Sequence, residues 1–382
     1  MLAPYDASMD ADAVVTPPHG AGSLRLVPFR GLTLAPRRIG GLASVRAFTR
    51  PYRTVPERLD RWERRGQVTH DQQPAVYLHE YTAGGITVRG LVGGLDLSCR
   101  AGSHEEVAVL PHEGIHPAQV DQLAARMVEM QINPAPILLV YRGSVDSRQL
   151  IARVQARPPQ LAFVDRAQQQ HRIWAVRAAD EIAGIDAALR DTRALIADGH
   201  HRYAAYLRLQ ELQPGPATDS GLAMLVDQDD TPLFLGAIHR VFGGVTVAAL
   251  QGAAERVGAR FESTDARRGV AALAPDTVVA SDGAQWAVLR PALDHDRAVV
   301  EWLHQDLLPA LPHPPTSTSY LHAVDEALGA VRRRRGVAVL MPAPDVSQVL
   351  AIAGADRLLP EKATSFQPKP SVGVLIRSLR DG

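Results

Sequence analysis

The sequence predicts an α+β fold, with strands and helices mixed rather than in a regular βαβ repeat. Three observations carry this. Strand-like and helix-like patterns intermix along the chain without a fixed period. The 382 residues, 46% hydrophobic and 21% charged, suffice for one elaborated domain or two. Apolar runs such as Pro136–Tyr141 are short and bounded by turn residues, as buried strands are.

In chain order, residues 1–20 carry acidic side chains and Pro17-Pro18-His19-Gly20 and are expected as a disordered tail. Leu24–Gly31 is a strand entering a turn, and Pro56–Gly66 is helical. The alternation of Ala75–Tyr81 and Ile86–Gly93 across Ala83-Gly84-Gly85 predicts a hairpin. Val107–Leu110 is a strand that runs into Pro111-His112-Glu113. Val120, Leu123, Met127 and Met130 recur near helical spacing and place a helix over Pro117–Ile132. Strands follow at Pro136–Tyr141, Leu161–Asp165 and Arg172–Val176, with a helix at Ala179–Leu189 whose Asp180 and Glu181 suit its N-terminal dipole. A strand at Arg193–Ala197, a break at Asp198-Gly199 and a helix from His201 to Leu212 complete the first part. We expect an N-terminal catalytic region over 21–215. A C-terminal α/β region over 216–382 should hold strands at Gly221–Val226, Leu233–Phe242 and Val372–Ile376. Pro-rich Leu311–Thr316 is the expected linker or lid.

Basic and acidic residues balance at 41 each, which disfavours nucleic acid as a partner because non-specific binding needs a basic field. No run approaches the roughly 18 apolar residues of a membrane helix. The N-terminus lacks the basic start and apolar core of a secretory signal, so a cytoplasmic address is expected. One cysteine, Cys99, cannot form an intrachain disulfide and is expected to be packed in the structure.

The informative segment is Ala197-Asp198-Gly199-His200-His201-Arg202-Tyr203. A carboxylate closing a buried strand is costly unless paired or used. Gly199 permits a positive φ or a close backbone approach. His200 and His201 then fall at a helix N-terminus, where unpaired amides and the dipole favour anions. Arg202 adds a guanidinium suited to phosphate. A simple helix cap would account for Asp198 alone. Zinc is disfavoured, since adjacent histidines do not readily share one ion. Magnesium on Asp198, shared with phosphate oxygens, is the more natural ion. Three further segments are candidates: His112-Glu113 for acid–base work, His239-Arg240 for anion contact, and the loop Lys362–Lys369, with Thr364 inside it, as a phosphate clamp.

Taken together these residues resemble the family known as domain of unknown function 1015, over roughly residues 24–379. Val27-Pro28-Phe29-Arg30-Gly31, Pro111-His112-Glu113, Asp198–Tyr203, His239-Arg240-Val241 and Lys362–Lys369 carry the resemblance. The Asp-Gly-His-His-Arg motif is also similar to that of free-serine kinases of the ParB/sulfiredoxin superfamily. The resemblance implies a ParB/sulfiredoxin-like core with N- and C-terminal elaborations. It further implies a small-molecule phosphotransferase, with free L-serine as acceptor and pyrophosphate or ADP/ATP as donor. Asp198 would be the base or metal carboxylate, with Glu113 as the alternative base. His200, His201 and Arg202 would hold the transferred phosphate, with His112, Gly199, His239, Arg240, Lys362, Thr364 and Lys369 around it. The sequence departs from the family where Arg50-Pro51-Tyr52-Arg53 replaces Pro-Pro-Tyr-Asp and Asp121-Gln122 replaces Asp-Arg. The alternative reading is therefore a catalytically altered phosphate- or nucleotide-binding protein, or a ParB-like regulator.

Overall fold

A computed structural model describes residues 14–18, 20–294, 296–334 and 336–381. The chain divides into two compact units: 1–233 together with 368–382, and 234–367. The fold is α+β with several sheets, as the mixed pattern predicts.

The first unit is built on a mixed sheet of nine strands among the described residues. Its order runs Val109–Leu110, Ala194–Asp198, Ile137–Tyr141, Ser220–Asp227, Ile86–Asp96, Val76–Ala83, Gln170–Val176, Leu161–Val164, with Leu26–Val27 also on Ile86–Asp96. The hairpin closes at Gly84-Gly85, both at positive φ (58° and 81°), with Ala83 opposite Ile86. Two consecutive positive-φ residues give the turn a twist that matches its strands, and glycine takes that conformation without a Cβ clash. Ile137–Tyr141 is buried along its whole length and runs parallel to Ser220–Asp227 but antiparallel to Ala194–Asp198. Ser220–Asp227 lies beyond the sequence-based boundary at 215, yet it pairs with two strands of the first unit. Its eight buried residues give it no exposed face, so it fills the interior of a sheet.

Helix His200–Leu212 buries His200, Tyr203, Ala204, Ala205, Tyr206, Leu207 and Leu209. Its polar groups are satisfied inside. The Tyr203 hydroxyl accepts from the Ala21 N–H at 2.9 Å, and the Tyr206 hydroxyl donates to the Leu222 carbonyl at 3.1 Å. A helix buried nearly all round shows no clean apolar stripe, which is why its periodicity is weak.

A second, four-stranded sheet orders Val68–His70, Gly31–Leu34, Ile376–Ser378 and Ile132–Asn133. The last strand of the chain is thus Ile376–Ser378 rather than Val372–Ile376. Buried Arg377 donates to Asn133 Oδ1 (3.2 Å) and to the carbonyls of Ser220 (3.0 Å) and Ala217 (2.8 Å).

Residues 1–13 and 19 of the expected tail lie outside the described residues. The neighbouring Val15 exchanges both main-chain hydrogen bonds with Ile115 (2.8 and 2.9 Å), and the Gly20 carbonyl accepts from Ala101. Cys99 is exposed, a correction to the packed position expected for it. The strand before it ends at Asp96, so Cys99 lies past the sheet.

The second unit holds a six-stranded antiparallel sheet. Its order is Arg260–Thr264, Trp286–Arg290, Val278–Ser281, Gly336–Leu340, His239–Gly243, Ser317–Leu321. Val241, Val279, Val288, Ala338 and Leu340 pack with Ala327, Ala330 and Val331 of helix Val324–Arg334. The expected single strand Leu233–Phe242 is two strands, Phe234–Leu235 and His239–Gly243. Phe234–Leu235 pairs with Phe366–Gln367, so the two ends of this unit are clasped to each other. Among the described residues, no helix is long and apolar enough to cross a membrane.

Candidate functional site

Asp198 ends the strand Ala194–Asp198, where the register against Ile137–Tyr141 shifts between Ile196 and Asp198. Gly199, at φ 103°, is the N-cap of the following helix, and no side chain caps it. A Cβ at Gly199 would lie 3.0 Å from both Arg202 Nη2 and Ile137 Cγ2, so both the conformation and the space select glycine.

The Asp198 carboxylate is partly buried and doubly paired. Oδ2 accepts from Arg202 Nη2, and Oδ1 accepts from Lys369 Nζ. Burial pushes its pKa up, but the charges of Arg202 and then Lys369 outweigh burial and hold it below the usual carboxylate range. The two cations differ. Arg202 Nη1 also donates to the carbonyls of Pro136 (2.6 Å) and Ala135 (3.3 Å), which lock the guanidinium to the start of the neighbouring strand. Lys369 leaves 45% of its side chain exposed.

The two histidines face the loop 111–116. His200 Nε2 accepts from the His112 N–H at 3.3 Å, with the His112 ring edge-on at 4.6 Å. His201 Nε2 accepts from the His116 N–H at 3.0 Å, and the rings of His116 and His201 stack at 5.7 Å. A ring nitrogen that accepts from an amide carries no proton, so each ring meets the loop through a bare Nε2. These contacts staple the loop carrying His112 and Glu113 to the first turn of the helix. Burial, and then the neighbouring His200, push the His112 pKa well below its ordinary value.

The remaining sequence candidates lie in the second unit, except Lys369. Arg240 is 1% exposed and donates through Nη1 to the Ile238 carbonyl and through Nη2 to the Lys362 carbonyl (2.9 Å). It thereby shapes the backbone at Lys362, a non-glycine residue at φ 55°. His239 Nδ1 accepts from the Met341 N–H at 3.2 Å. Burial, followed by Arg240 and His322, lowers its pKa to about 4. Thr364 is half-buried in the same loop. Lys362 and Thr364 belong to one unit and Lys369 to the other.

Both oxygens of Asp198 are paired with cations, and among the described residues no group of three or more histidine, cysteine, aspartate or glutamate side chains could hold a metal ion. Magnesium on Asp198 would therefore have to displace Lys369 and take its other ligands from phosphate oxygens and water.

One signal in the sequence went unread. Of the 41 basic residues only Lys362 and Lys369 are lysines, and they lie seven positions apart. Lysine offers a compact point charge on a flexible stem, arginine a rigid fork.

The family model described as "Protein of unknown function (DUF1015)" matches residues 39–311, and the chain belongs to that family. Among solved structures, the chain is similar to a free serine kinase in complex with AMP, at 14% identity and a TM-score of 0.39, covering 70% of this chain and 88% of that one. It is similar to a conserved hypothetical protein from Pyrococcus furiosus (15% identity, TM-score 0.39, 72% and 93% covered). SbnI with C-terminal truncation from Staphylococcus aureus gives 10% identity and a TM-score of 0.42, with 75% and 87% covered. No curated protein matches the chain.

Proposed function

We propose that the chain is a small-molecule phosphotransferase that moves a phosphoryl group between pyrophosphate or a nucleotide and a small hydroxyl compound, with free L-serine as the first acceptor to test. The observation that carries this reading is Lys369 on Asp198 beside the glycine-capped start of helix His200–Leu212. Phosphoryl transfer asks mainly for positioning and charge neutralisation, which a flexible ammonium and helix N-terminal amides supply.

In this reading Lys369 exchanges Asp198 Oδ1 for a phosphate oxygen when donor binds. The released carboxylate oxygen accepts the acceptor's hydroxyl proton as the new oxygen–phosphorus bond forms. The bond to the leaving phosphate or nucleotide breaks, and the leaving group carries away the electron pair. Arg202 keeps Asp198 oriented throughout, because the carbonyls of Ala135 and Pro136 hold it. His200 and His201 act one step back, by fixing the loop that carries His112 and Glu113. The ParB/sulfiredoxin-like core implied by the motif belongs to this same reading.

The test is phosphoserine formation with pyrophosphate, ADP or ATP. Asp198→Ala in a folded protein is expected to abolish turnover, and absence of product with every donor would sink the proposal. A second reading, binding of phosphate compounds without turnover, is favoured by the double ion pair on Asp198. It predicts a raised melting temperature with pyrophosphate and no chemistry.

A further inference from the structure

Lys369 is exposed and its side chain is flexible, so something must hold its backbone if the ammonium is to meet Asp198 reproducibly. Two side chains do so. The Tyr81 hydroxyl donates to the Pro368 carbonyl at 2.6 Å. Gln169 spans the next residues: Nε2 donates to the Lys369 carbonyl at 3.0 Å, and Oε1 accepts from the Ser371 N–H at 3.1 Å. One side-chain amide thus imitates a strand neighbour for the segment on either side of Pro370.

The turn that carries Gln169 is itself fixed from beneath. Asp165, 4% exposed, accepts through Oδ1 from the N–H groups of Ala167 (2.8 Å) and Gln169 (2.9 Å). Its Oδ2 meets His171 Nε2 at 3.1 Å, and His171 Nδ1 meets His79 Nε2 at 3.0 Å. The ionised Asp165 can only accept, so His171 donates through Nε2 and receives the Nε2 proton of His79 at Nδ1. Burial pushes the His171 pKa down, and with His171 neutral this is the one consistent proton arrangement; the relay is buried throughout, with His79 and His171 at 2% and 1% exposure. Such a buried, fully paired chain holds a turn more firmly than any exposed contact.

We propose that Gln169 is the positioning residue of the anion site, clamping the main chain of Lys369–Ser371 so that the Lys369 ammonium stands on Asp198, with Tyr81 as the second anchor. The inference rests on the reading of Asp198 and Lys369 as the place where phosphate binds. Gln169 touches no substrate in this account and acts through Lys369.

The two-lysine sequence makes the test direct. An amine-specific acylating reagent has Lys369 as target and Lys362 as internal reference, read residue by residue by mass spectrometry, with inorganic pyrophosphate as protecting probe. In Gln169→Leu the acylation of Lys369 relative to Lys362 is expected to rise about fivefold, and the pyrophosphate concentration giving half-protection about tenfold, as loss of a pair of hydrogen bonds implies. Gln169→Glu keeps the acceptor for Ser371 but loses the donor to Lys369, and should fall between the two. An unchanged Lys369-to-Lys362 ratio in folded Gln169→Leu overturns the proposal. Should that variant fail to fold, Tyr81→Phe removes a single oxygen and must raise the ratio about twofold, an unchanged ratio again being the refutation. Failure of pyrophosphate to protect Lys369 in the unaltered protein would instead defeat the phosphate reading, while the ratio would still decide on the clamp.

Discussion

Lys369 and Arg202 both face Asp198, yet their surroundings give them different work. Arg202 is tied to two main-chain carbonyls and the carboxylate, so its removal leaves several polar groups without their partner. Arg202→Lys is expected to cost about 1–3 kcal/mol in urea unfolding, because a single ammonium cannot serve both carbonyls and the carboxylate at once. Lys369→Ala should leave stability within about 0.5 kcal/mol, as the lysine end of the pair is exposed and Arg202 still pairs the carboxylate, while weakening pyrophosphate binding at least tenfold in calorimetry. Equal effects of the two substitutions on stability would refute the division. Protonation is a second matter at this scale. His239 has its pKa lowered to about 4 and His304 likewise, both first by burial and then by Arg240. In an unfolded chain these imidazoles bind a proton near pH 6.5, in the folded one only near 4. Between those values the unfolded state holds more protons, so stability is fully present above pH 6.5 and falls as pH drops towards 4. The loss should reach a few kcal/mol, about 1.4 per pKa difference of one, read by urea melts at pH 7.5, 5.5 and 4.5. His239→Asn should flatten part of that slope.

Secondary-structure elements explain why the motif is contiguous. A strand end, one left-handed glycine and a helix start bring Asp198 and Arg202 together within a single turn. The histidines between them hold the loop 111–116 by its amides. His200→Phe keeps a ring of similar shape but removes the acceptor for the buried His112 amide. Its expected cost is about 1–3 kcal/mol, with faster hydrogen exchange at His112 and unchanged exchange in strand Ile137–Tyr141. Uniform acceleration across both would argue against a local staple.

At the scale of the whole chain, residues 234–367 form an insertion between Leu233 and Pro368 of the first unit. Their ends are paired as Phe234 with Gln367 and Leu235 with Phe366, and their sheet has its own apolar core. A fragment 234–367 is therefore expected to fold alone and to melt cooperatively in circular dichroism. A non-cooperative or unfolded fragment would show that this core needs the rest of the chain.

The sequence by itself determined the α+β class, the hairpin across Gly84-Gly85, helix Ala179–Leu189 and the strand–glycine–helix of Asp198 to Leu212. These are local features, set by hydrophobic period, turn residues and backbone permissiveness within a few positions. It left unread the helix Val145–Gln155 and the edge strands Arg260–Thr264 and Ser317–Leu321, whose patterns are polar and mixed. Only the tertiary structure decided what meets Asp198. Lys369 arrives from 171 positions away because Ile376–Ser378 pairs with Gly31–Leu34 and Ile132–Asn133, returning the chain to the first unit. Such pairings depend on which sheet edges remain open once the rest has packed, and no local pattern encodes that. For the same reason His200 and His201, close to Asp198 in sequence, accept from the amides of a loop 85 or more positions back.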